Sequence, residues 1–302
     1  MYLAHRHVLT VDKYDRALID ELFKHARTLS AVATGIGGNA PPFVQSKATG
    51  KTLINLFYEP STRTSTSFHA AMIKLGGNVI PINDVIYSSV SKGENLEDTI
   101  RTMGSYADLI VLRHPEMGAV ARAASVSQVP IINGGDGVGE HPTQALLDLF
   151  TIEQKFNCID GLTITMMGDL QHGRTVHSLV KLLRLYDVRI NFVSPEELAI
   201  PGEYVQHEDK VTTNLHEVLG ETDVLYVTRV QKERLVSHQS VSTYRLSASD
   251  LNHTKDDMIV MHPFPRVDEL DPAIDKDQRA AYFPQMRSGL WVRMAIIDKV
   301  FW

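Results

Sequence analysis

Six short segments of this sequence group side chains that could bind a small anion and polarise a carbonyl group. Each contains arginine, histidine or both, and they occupy residues 59–65, 113–115, 139–144, 167–178, 228–234 and 262–266. Arginine guanidinium groups pair with phosphate and carboxylate oxygens. Imidazole and amide groups can hydrogen-bond a carbonyl or an amine. These residue types favour chemistry on small anionic substrates.

The first segment, 59–65, lies between a predicted strand and a predicted helix. The first N–H groups of a helix have no partner within it, and the helix dipole adds about half a positive charge at that end. The hydroxyls of the segment, together with Arg63, would therefore form a site for phosphate. Capping of the helix by Ser61 or Thr62 is an equally good interpretation of the segment by itself, but capping does not explain Arg63.

The third segment, 139–144, places His141 before a helix that starts with Pro142, and Gln144 in its first turn. Both side chains could face one ligand, because a neutral imidazole and an amide offer hydrogen bonds of opposite polarity. A structural role is an equal alternative for a single histidine. The glycines around this segment favour a functional loop.

Three arginines occupy comparable places in other segments. Arg113 lies where a predicted strand ends, and Arg174 starts a predicted helix, where it could clamp a carboxylate. Arg229 follows another strand and alternates with Gln231, so both could point the same way. A solvated surface position is the alternative for Arg113 and Arg229. The segment 167–178 matches neither the P-loop nor the dinucleotide-binding pattern.

The last segment, 262–266, follows a predicted strand and contains Pro263 and Pro265, which stiffen the turn. Its backbone carbonyls cannot pair in a strand ladder and could accept hydrogen bonds from an amine. Five of the six segments lie where a predicted strand ends, which is where open α/β sheets bind ligands. We therefore expect a cleft shared by two α/β domains.

Short apolar runs alternate with amphipathic helical patterns along the chain, which predicts an α/β fold. Strands are predicted over 52–57, 78–82, 109–112, 129–132, 163–167, 189–193, 224–228 and 258–261. Helices are predicted over 16–29, 64–75, 96–106, 117–124, 142–156, 175–185, 215–220 and 289–302. The pattern indicates two doubly wound parallel-sheet domains joined by a bridging helix, with a C-terminal helix packing back on one of them.

The composition excludes several classes of protein. With 302 residues, of which 43% are apolar and 22% charged, the chain is long enough for roughly two globular domains. A net charge of −6 lacks the electrostatic footprint of a nucleic-acid-binding protein. The apolar runs are too short to span a membrane, and the start of the chain does not resemble a signal peptide. The single cysteine, Cys158, offers no disulfide or zinc motif, so we expect a cytoplasmic protein without a metal.

Taken in order, the six segments closely resemble those of the aspartate carbamoyltransferase family over essentially the full length of the chain. The residues that carry the resemblance are 61–64, 113–115, 141–144, 168–170, 173–175, 229–234 and 262–266. The amino-acid sequence of residues 135–144 is most similar to that of the corresponding domain in eukaryotic multifunctional pyrimidine proteins. The resemblance implies transfer of a carbamoyl group from carbamoyl phosphate to L-aspartate, an early step of pyrimidine biosynthesis. It implies no cofactor, and a homotrimer that stands alone or belongs to a larger pyrimidine-pathway polypeptide.

The resemblance also implies how the first substrate is bound. Phosphate would be held by Ser61, Thr62, Arg63 and Thr64, with Arg113 shared between the phosphate and the carbonyl oxygen. Ser88 and Lys92 would enter the site from a neighbouring subunit. The oxyanion would be stabilised by Thr64, Arg113 and His141, and the catalytic set is Arg63, Thr64, Lys92, Arg113 and His141.

The remaining roles concern the carbamoyl amine and the second substrate. The carbamoyl NH₂ would be held by Gln144 and the backbone carbonyls of Pro263 and Phe264. The two carboxylates of aspartate would be bound by Lys92, Arg174, Arg229 and Gln231. The departing phosphate takes the proton of the aspartate amine, so no side chain is assigned as a general base. Phe264 stands where the family more often has leucine or methionine, which puts packing in doubt more than activity.

Domain boundaries follow from the same resemblance. Residues 1–142 with 287–302 would bind carbamoyl phosphate, residues 143–156 would form the bridging helix, and residues 157–286 would bind aspartate. Because both substrates are anionic, we expect five cationic side chains to gather in one cleft: Arg63, Lys92, Arg113, Arg174 and Arg229.

Two other functions are alternatives. An ornithine carbamoyltransferase shares the phosphate motif but has a cysteine in the turn where this chain has 262–265, and Arg229 with Gln231 suits a second carboxylate better than an amine. A catalytically inactive homologue that serves as an assembly or effector-binding subunit is the second alternative. Every expected type of ligand-binding side chain is present, which favours an active enzyme for aspartate.

Overall fold

Two parallel β-sheets organise the chain. The computed structural model describes residue 3 and residues 6–33, 42–83, 92–230 and 244–302. The chain divides into two compact units, Met1–Phe150 with Arg287–Trp302, and Thr151–Met286. The predicted fold class, with two parallel-sheet α/β domains and a C-terminal helix, is confirmed.

The strands of the first unit are β1 (Thr52–Phe57), β2 (Asn78–Asn83), β3 (Leu109–His114) and β4 (Ile131–Asp136). They are all parallel, in the order β2-β1-β3-β4. The central strands β1 and β3 are apolar and almost entirely buried, as expected of parallel strands that are covered on both faces. The edge strand β2 exposes most of its side chains.

The helices that lie wholly in the first unit are α1 (Arg16–Ala33), α2 (Pro42–Gln45), α3 (Thr62–Lys74), α4 (Leu96–Gly104) and α5 (Ala119–Val126). Helix α1 has the amphipathic pattern that the sequence predicts. Its apolar stripe, formed by Leu18, Leu22, Ala26 and Leu29, is buried. Helix α3 begins directly after the loop that follows β1, so its N-terminus lies at the carboxyl edge of the sheet.

Two helices contain the boundary between the units. Helix α6 (Pro142–Phe156) has the bounds predicted from the sequence, and helix α8 (Tyr282–Phe301) begins before the predicted start at Gly289. Residues on almost every side of α8 are apolar, and the consecutive residues Met294, Ala295, Ile296 and Ile297 are all fully buried. An apolar residue on each face is typical of a helix that is surrounded by protein.

The second unit contains β5 (Thr163–Met167), β6 (Arg189–Val193), β7 (Lys210–Thr212), β8 (Val224–Val227) and β9 (Ile259–Met261), with helix α7 (Arg174–Leu183) after β5. The strands are parallel, in the order β7-β6-β5-β8-β9. Strand β7 was not predicted, because it is a short edge strand with no buried side chain and so no apolar run.

The helix predicted over 215–220 is wrong. The structure has two short 3₁₀ turns there, Leu215–Glu217 and Leu219–Glu221. The side chain of Asn214 accepts a hydrogen bond from the backbone N–H of His216 and starts the first turn. Leu215 and Leu219 are both buried and are four residues apart, which is the spacing that predicted a helix. No third helical turn follows the two 3₁₀ turns. Within the described residues, no helix is long and apolar enough to cross a membrane.

Near the end of α8, Asp298 is a buried carboxylate between His25 and Lys47. Its Oδ2 lies 2.6 Å from His25 Nε2 and 2.7 Å from Lys47 Nζ. Burial alone would raise the pKa of Asp298, but hydrogen bonds from His25 and Lys47 lower the pKa below its usual value. These contacts join α8 to α1 and to the turn after α2.

We expect Asp298→Asn to lower the free energy of unfolding by about 1–3 kcal/mol at neutral pH, because two partners lose an ionised acceptor. A lowered pKa in the folded state means that this contribution is present at neutral pH and is lost as the pH falls through that pKa. Urea unfolding should therefore show that the difference between wild type and variant shrinks below about pH 4. A difference that is constant with pH would contradict the assignment.

Candidate active site

The N-terminus of α3 presents hydroxyl groups and an arginine at the end of β1. Ser61 is the N-cap residue, but its side chain makes no capping hydrogen bond. The capping interpretation of Ser61 is therefore wrong, because the Ser61 hydroxyl accepts no hydrogen bond from the N–H groups of the first helical turn. Thr62 is the first helical residue, and both Thr62 and Arg63 are exposed. The helix N-terminus favours an anion at this position.

Thr64 and His141 bring this helix together with α6. Thr64 Oγ1 and His141 Nε2 are 3.5 Å apart, although the residues are 77 positions apart in the sequence. Thr64 is 7% exposed and His141 is 4% exposed. In this contact one of the two groups donates to the other, and each can instead donate to an oxygen atom of a ligand that lies between them.

Arg113 lies near the end of β3 and points toward the loop that follows β1. Its Nε is 3.1 Å from Glu59 Oε2, and its Nη1 donates to the carbonyl oxygen of Gly134 over 3.3 Å. In the sheet, Arg113 pairs with Phe57, the last residue of β1. This register brings Arg113 beside the loop that leads to Ser61. Glu59 was not among the predicted site residues, although it stands within the first segment.

The loop between β4 and α6 is fixed by three side chains. Asn133 is buried, and its Oδ1 accepts a hydrogen bond from Gly135 N over 2.7 Å. Asp136 accepts from Gly118 N over 3.0 Å, and Glu140 accepts from Val11 N over 2.8 Å. A rigid loop holds the side chain of the next residue, His141, in one place.

Gly137 allows this loop to turn. Its φ is 51°, and a Cβ at this position would lie 2.6 Å from the carbonyl oxygen of Pro115. A larger residue would therefore be strained by its backbone conformation and would also collide with backbone atoms.

Gln144 is in the first turn of α6, on the same helix start as His141. It is 7% exposed, and its Nε2 donates a hydrogen bond to Asp148 Oδ1 over 2.8 Å. The predicted residues 61–64, 113, 141 and 144 all belong to the first unit. Residues 61–64 follow β1, Arg113 lies near the end of β3, and His141 follows β4. These three strands are adjacent in the sheet.

In the second unit, Arg174 is the first residue of α7 and is only 7% exposed. The loop before it turns at Gly168, whose φ is 118° and where a Cβ would lie 2.1 Å from the carbonyl oxygen of Thr228. This close approach brings the end of β5 beside the end of β8. Arg229, which follows β8, is half-buried, and its Nη1 donates to the carbonyl oxygen of Val230.

His262 organises the turn after β9. The ring is fully buried, and its Nδ1 accepts a hydrogen bond from Phe264 N over 2.8 Å. An Nδ1 that accepts places the proton of the neutral ring on Nε2, which lies 2.7 Å from Glu269 Oε1. Phe264 has a φ of 55°, and a cis peptide bond joins it to Pro265.

Glu269 anchors this turn from behind. Burial acts to raise the pKa of Glu269, but the hydrogen bond from His262 and those from backbone N–H groups lower the pKa below its usual value. The ionised carboxylate also accepts from Val267 N and Asp268 N. The prolines predicted a stiff turn, but the role of Glu269 was not predicted, because nothing in the sequence places this residue against His262.

Of the remaining predicted site residues, Ser88 and Gln231 lie outside the described residues, and Lys92 is exposed. The gathering of five cationic side chains in one cleft stays a prediction. Among the residues that the structure describes, no group of three or more histidine, cysteine, aspartate or glutamate side chains could hold a metal ion.

Comparison with known families and proteins gives consistent matches along the chain. The family model for the aspartate/ornithine carbamoyltransferase carbamoyl-P binding domain matches residues 6–154. The model for the Asp/Orn binding domain of the same family matches residues 160–300.

Two curated relatives represent two kinds of protein. The aspartate carbamoyltransferase catalytic subunit of Archaeoglobus fulgidus is 47% identical over 98% of this chain and 99% of its own length. The multifunctional protein pyr1-3 of Dictyostelium discoideum is 48% identical over 99% of this chain, which spans only 14% of that protein.

Solved structures of aspartate transcarbamoylase from Trypanosoma cruzi are similar over 100% of this chain. The complex with carbamoyl phosphate and aspartate has a TM-score of 0.93 and 42% identity, with 98% of that chain covered. The complex with N-(phosphonacetyl)-L-aspartic acid has a TM-score of 0.92 and 43% identity, with 97% of that chain covered.

The geometry of the first unit predicts binding of inorganic phosphate at the N-terminus of α3. We expect Arg63→Met to weaken this binding at least about tenfold, because a hydrogen bond to a charged group contributes roughly 1.5–3 kcal/mol. Titration calorimetry with inorganic phosphate would measure the affinity. Arg101→Met is the matched control, since Arg101 is an exposed arginine on α4 that pairs with Asp98. Equal affinities in wild type and Arg63→Met would remove the phosphate site from α3.

Proposed function

The chain belongs to the aspartate/ornithine carbamoyltransferase family, and we propose that it transfers the carbamoyl group of carbamoyl phosphate to the amine of L-aspartate. The products are N-carbamoyl-L-aspartate and inorganic phosphate, and the reaction is an early step of pyrimidine biosynthesis. The observation that carries this proposal is the similarity of the whole chain to a structure that contains both carbamoyl phosphate and aspartate, at 42% identity and a TM-score of 0.93.

The phosphate group is bound at the N-terminus of α3. Ser61 and Thr62 supply hydroxyl groups, and Arg63 supplies a guanidinium group for the phosphate oxygens. The N–H groups of the first helical turn and the helix dipole add to the attraction. The exposure of Arg63 and the absence of a capping bond from Ser61 support this role.

The carbonyl oxygen of the carbamoyl group is stabilised by Thr64, Arg113 and His141. When the aspartate amine attacks the carbamoyl carbon, negative charge develops on this oxygen. The 3.5 Å separation of Thr64 Oγ1 and His141 Nε2 supports this role, because an oxygen atom that replaces the contact between them is within reach of both groups. Loss of one such donor typically lowers the rate about 10²- to 10³-fold.

The carbamoyl NH₂ is held by acceptors from Gln144 and from the backbone carbonyls of Pro263 and Phe264. The hydrogen bond from Phe264 N to His262 keeps the turn in one conformation, which supports a fixed direction for these carbonyls. Holding the amine fixes the plane of the carbamoyl group, and correct orientation lowers the entropic part of the barrier.

Aspartate is bound through its two carboxylates by Lys92, Arg174, Arg229 and Gln231. The low exposure of Arg174 supports a strong interaction, because water screens a buried guanidinium less than an exposed one. The departing phosphate accepts the proton of the amine. Positioning and electrostatic stabilisation therefore account for the catalysis without a general base from the protein.

The organisation of the domains follows from these roles. Residues 1–142 with 287–302 bind carbamoyl phosphate, residues 143–156 form the bridging helix, and residues 157–286 bind aspartate. Ser88 and Lys92 complete the site of a neighbouring subunit, which requires a homotrimer. The enzyme is cytoplasmic, and it acts alone or as one domain of a larger pyrimidine-pathway polypeptide.

Ornithine as the acceptor substrate is the second candidate, because the family models do not separate the two acceptors. The turn 262–266 contains no cysteine, and the single cysteine, Cys158, is exposed elsewhere in the second unit. Arg229 and Gln231 suit a carboxylate. Aspartate is therefore the favoured acceptor.

We expect the purified protein to form carbamoyl-aspartate from carbamoyl phosphate and aspartate, and to form no citrulline from ornithine, because the acceptor site is cationic. Colorimetric detection of the ureido group, with the two acceptors in parallel, measures both reactions. Product from ornithine alone would reverse the assignment, and no product from either acceptor would favour the inactive homologue.

Mixing Arg63→Ala chains with Lys92→Ala chains should restore activity, because each site takes Arg63 from one subunit and Lys92 from its neighbour. A random mixture in equal amounts should reach about a quarter of the wild-type rate, since three quarters of the trimers are hybrids with one intact site each. The assay follows confirmed subunit exchange, and each variant assayed by itself is the control. No recovery would refute a site that is shared between subunits.

A further inference from the structure

The side-chain amide of Gln144 is oriented by a buried carboxylate. Gln144 Nε2 donates to Asp148 Oδ1, one turn further along α6, over 2.8 Å. Asp148 is fully buried. An ionised carboxylate accepts hydrogen bonds and cannot donate them. The NH₂ end of the amide must therefore face Asp148, and the carbonyl oxygen Oε1 must face the opposite way.

Arg293 on α8 is a second buried charged side chain, within electrostatic reach of Asp148. Arg293 is 4% exposed, and burial lowers the pKa of its guanidinium to about 10, while the charge of Asp148 acts to raise that pKa. The group is therefore still cationic at neutral pH. Its guanidinium carbon lies 5.1 Å from the centre of the Phe68 ring on α3, which is a favourable cation–π distance.

The position of Gly289 leaves space for this guanidinium between α8 and α6. A Cβ at residue 289 would lie 3.1 Å from Arg293 Nη1 and 3.0 Å from Leu147 Cδ2. Both distances are shorter than normal contacts. A side chain at this position would press against the arginine and against the helix that carries Gln144 and Asp148.

Stability alone is a weak reason for two buried charges. Removing an aspartate and an arginine from water is expensive, and replacing buried charges of opposite sign with apolar residues is often neutral or stabilising. A role in orientation explains the buried aspartate better, because a charged acceptor distinguishes the two ends of an amide that have nearly the same shape.

We propose that Asp148 is a positioning residue that directs the carbonyl oxygen of Gln144 toward the NH₂ group of the substrate. This inference rests on the proposed role of Gln144 in binding the carbamoyl amine. With Oε1 presented, Gln144 accepts a hydrogen bond from that amine. With the amide reversed, two NH₂ groups would face each other and no hydrogen bond would form.

The consequence is selectivity for an acyl phosphate that carries an amine. Acetyl and carbamoyl groups have almost the same size and differ in having CH₃ or NH₂ beside the carbonyl. Groups that bind the phosphate and the carbonyl oxygen do not distinguish them. A correctly oriented Gln144 does, because an unmatched acceptor in a buried site is unfavourable.

The substitution Asp148→Asn tests the proposal with little change in volume. The new amide can donate a hydrogen bond as well as accept one. Gln144 can therefore also turn its oxygen toward the Nδ2 of residue 148, and its orientation is no longer fixed. Two stable probes report the result: phosphonoacetamide, which carries the NH₂ group, and acetonylphosphonate, which carries CH₃ at the same place.

We expect wild-type protein to bind phosphonoacetamide more tightly than acetonylphosphonate in titration calorimetry. Asp148→Asn should lower this selectivity at least about twofold, because the competent orientation of Gln144 is then only fractionally populated, and should leave the affinity for acetonylphosphonate essentially unchanged. A general loss of structure would weaken the binding of both probes. The ratio of affinities therefore separates orientation from stability.

Three further variants complete the test. In a Gln144→Ala background, Asp148→Asn should cause no additional loss of selectivity, because Asp148 acts through Gln144. The variant Asp148→Leu offers Gln144 no hydrogen-bonding group, so it should also lower the selectivity, and it replaces Asp148→Asn if that variant does not fold. Asp298→Asn is the matched control, because it changes a buried aspartate of α8 that pairs with His25 and Lys47. It should lower stability without changing selectivity.

Two different failures are distinguishable. Equal weakening of both probes by Asp148→Asn, or a further loss in the Gln144→Ala background, overturns the positioning role and leaves the proposed function intact if Gln144→Ala alone lowers selectivity. If wild-type protein binds the two probes equally and Gln144→Ala has no effect, the proposed role of Gln144 fails, and the inference fails with it.

Discussion

The constraint on which the rest of the structure depends is that the substrates proposed above are both anionic, whereas the net charge of the chain is −6. The overall charge does not favour such ligands, so the positive potential must be local. The parallel sheets provide it where strands end. The N-terminus of α3 follows β1, Arg113 lies at the end of β3, and Arg174 begins the helix after β5. Loops and helix starts at this edge can therefore bind anions without a basic protein surface.

Carboxylates behind the donors explain how an acidic chain can hold cationic and polar groups in place. Glu59 lies 3.1 Å from Arg113, Asp148 accepts from Gln144 over 2.8 Å, and Glu269 lies 2.7 Å from His262. Each carboxylate fixes the direction of its partner before a substrate arrives. Donors that are already oriented do not have to reorganise when charge develops in the reaction, and this is the main source of electrostatic catalysis.

Much of the fold could be predicted because buried parallel strands have continuous apolar sequences, and amphipathic helices have apolar residues at regular helical spacing. The bounds of β1, β5, β6 and α6 agree with the prediction. The edge strand β7 and the turns at 215–221 could not be predicted, because exposed strands and isolated turns leave no distinct pattern. The acidic partners Glu59, Asp148 and Glu269 were not predicted for a different reason. The sequence around an acidic residue does not indicate which distant side chain it will contact.

By itself, the sequence determined the residue types of the site, the alternation of strands and helices, and the order of motifs that marks the family. These properties depend on residues that are close together in the sequence, and so they can be predicted without a structure. Only the tertiary structure decided which distant side chains meet, such as Thr64 with His141 at 3.5 Å, or Arg293 with the ring of Phe68 at 5.1 Å. Such contacts depend on how whole elements pack, because residues far apart in the chain become neighbours only when the helices and strands that carry them are assembled.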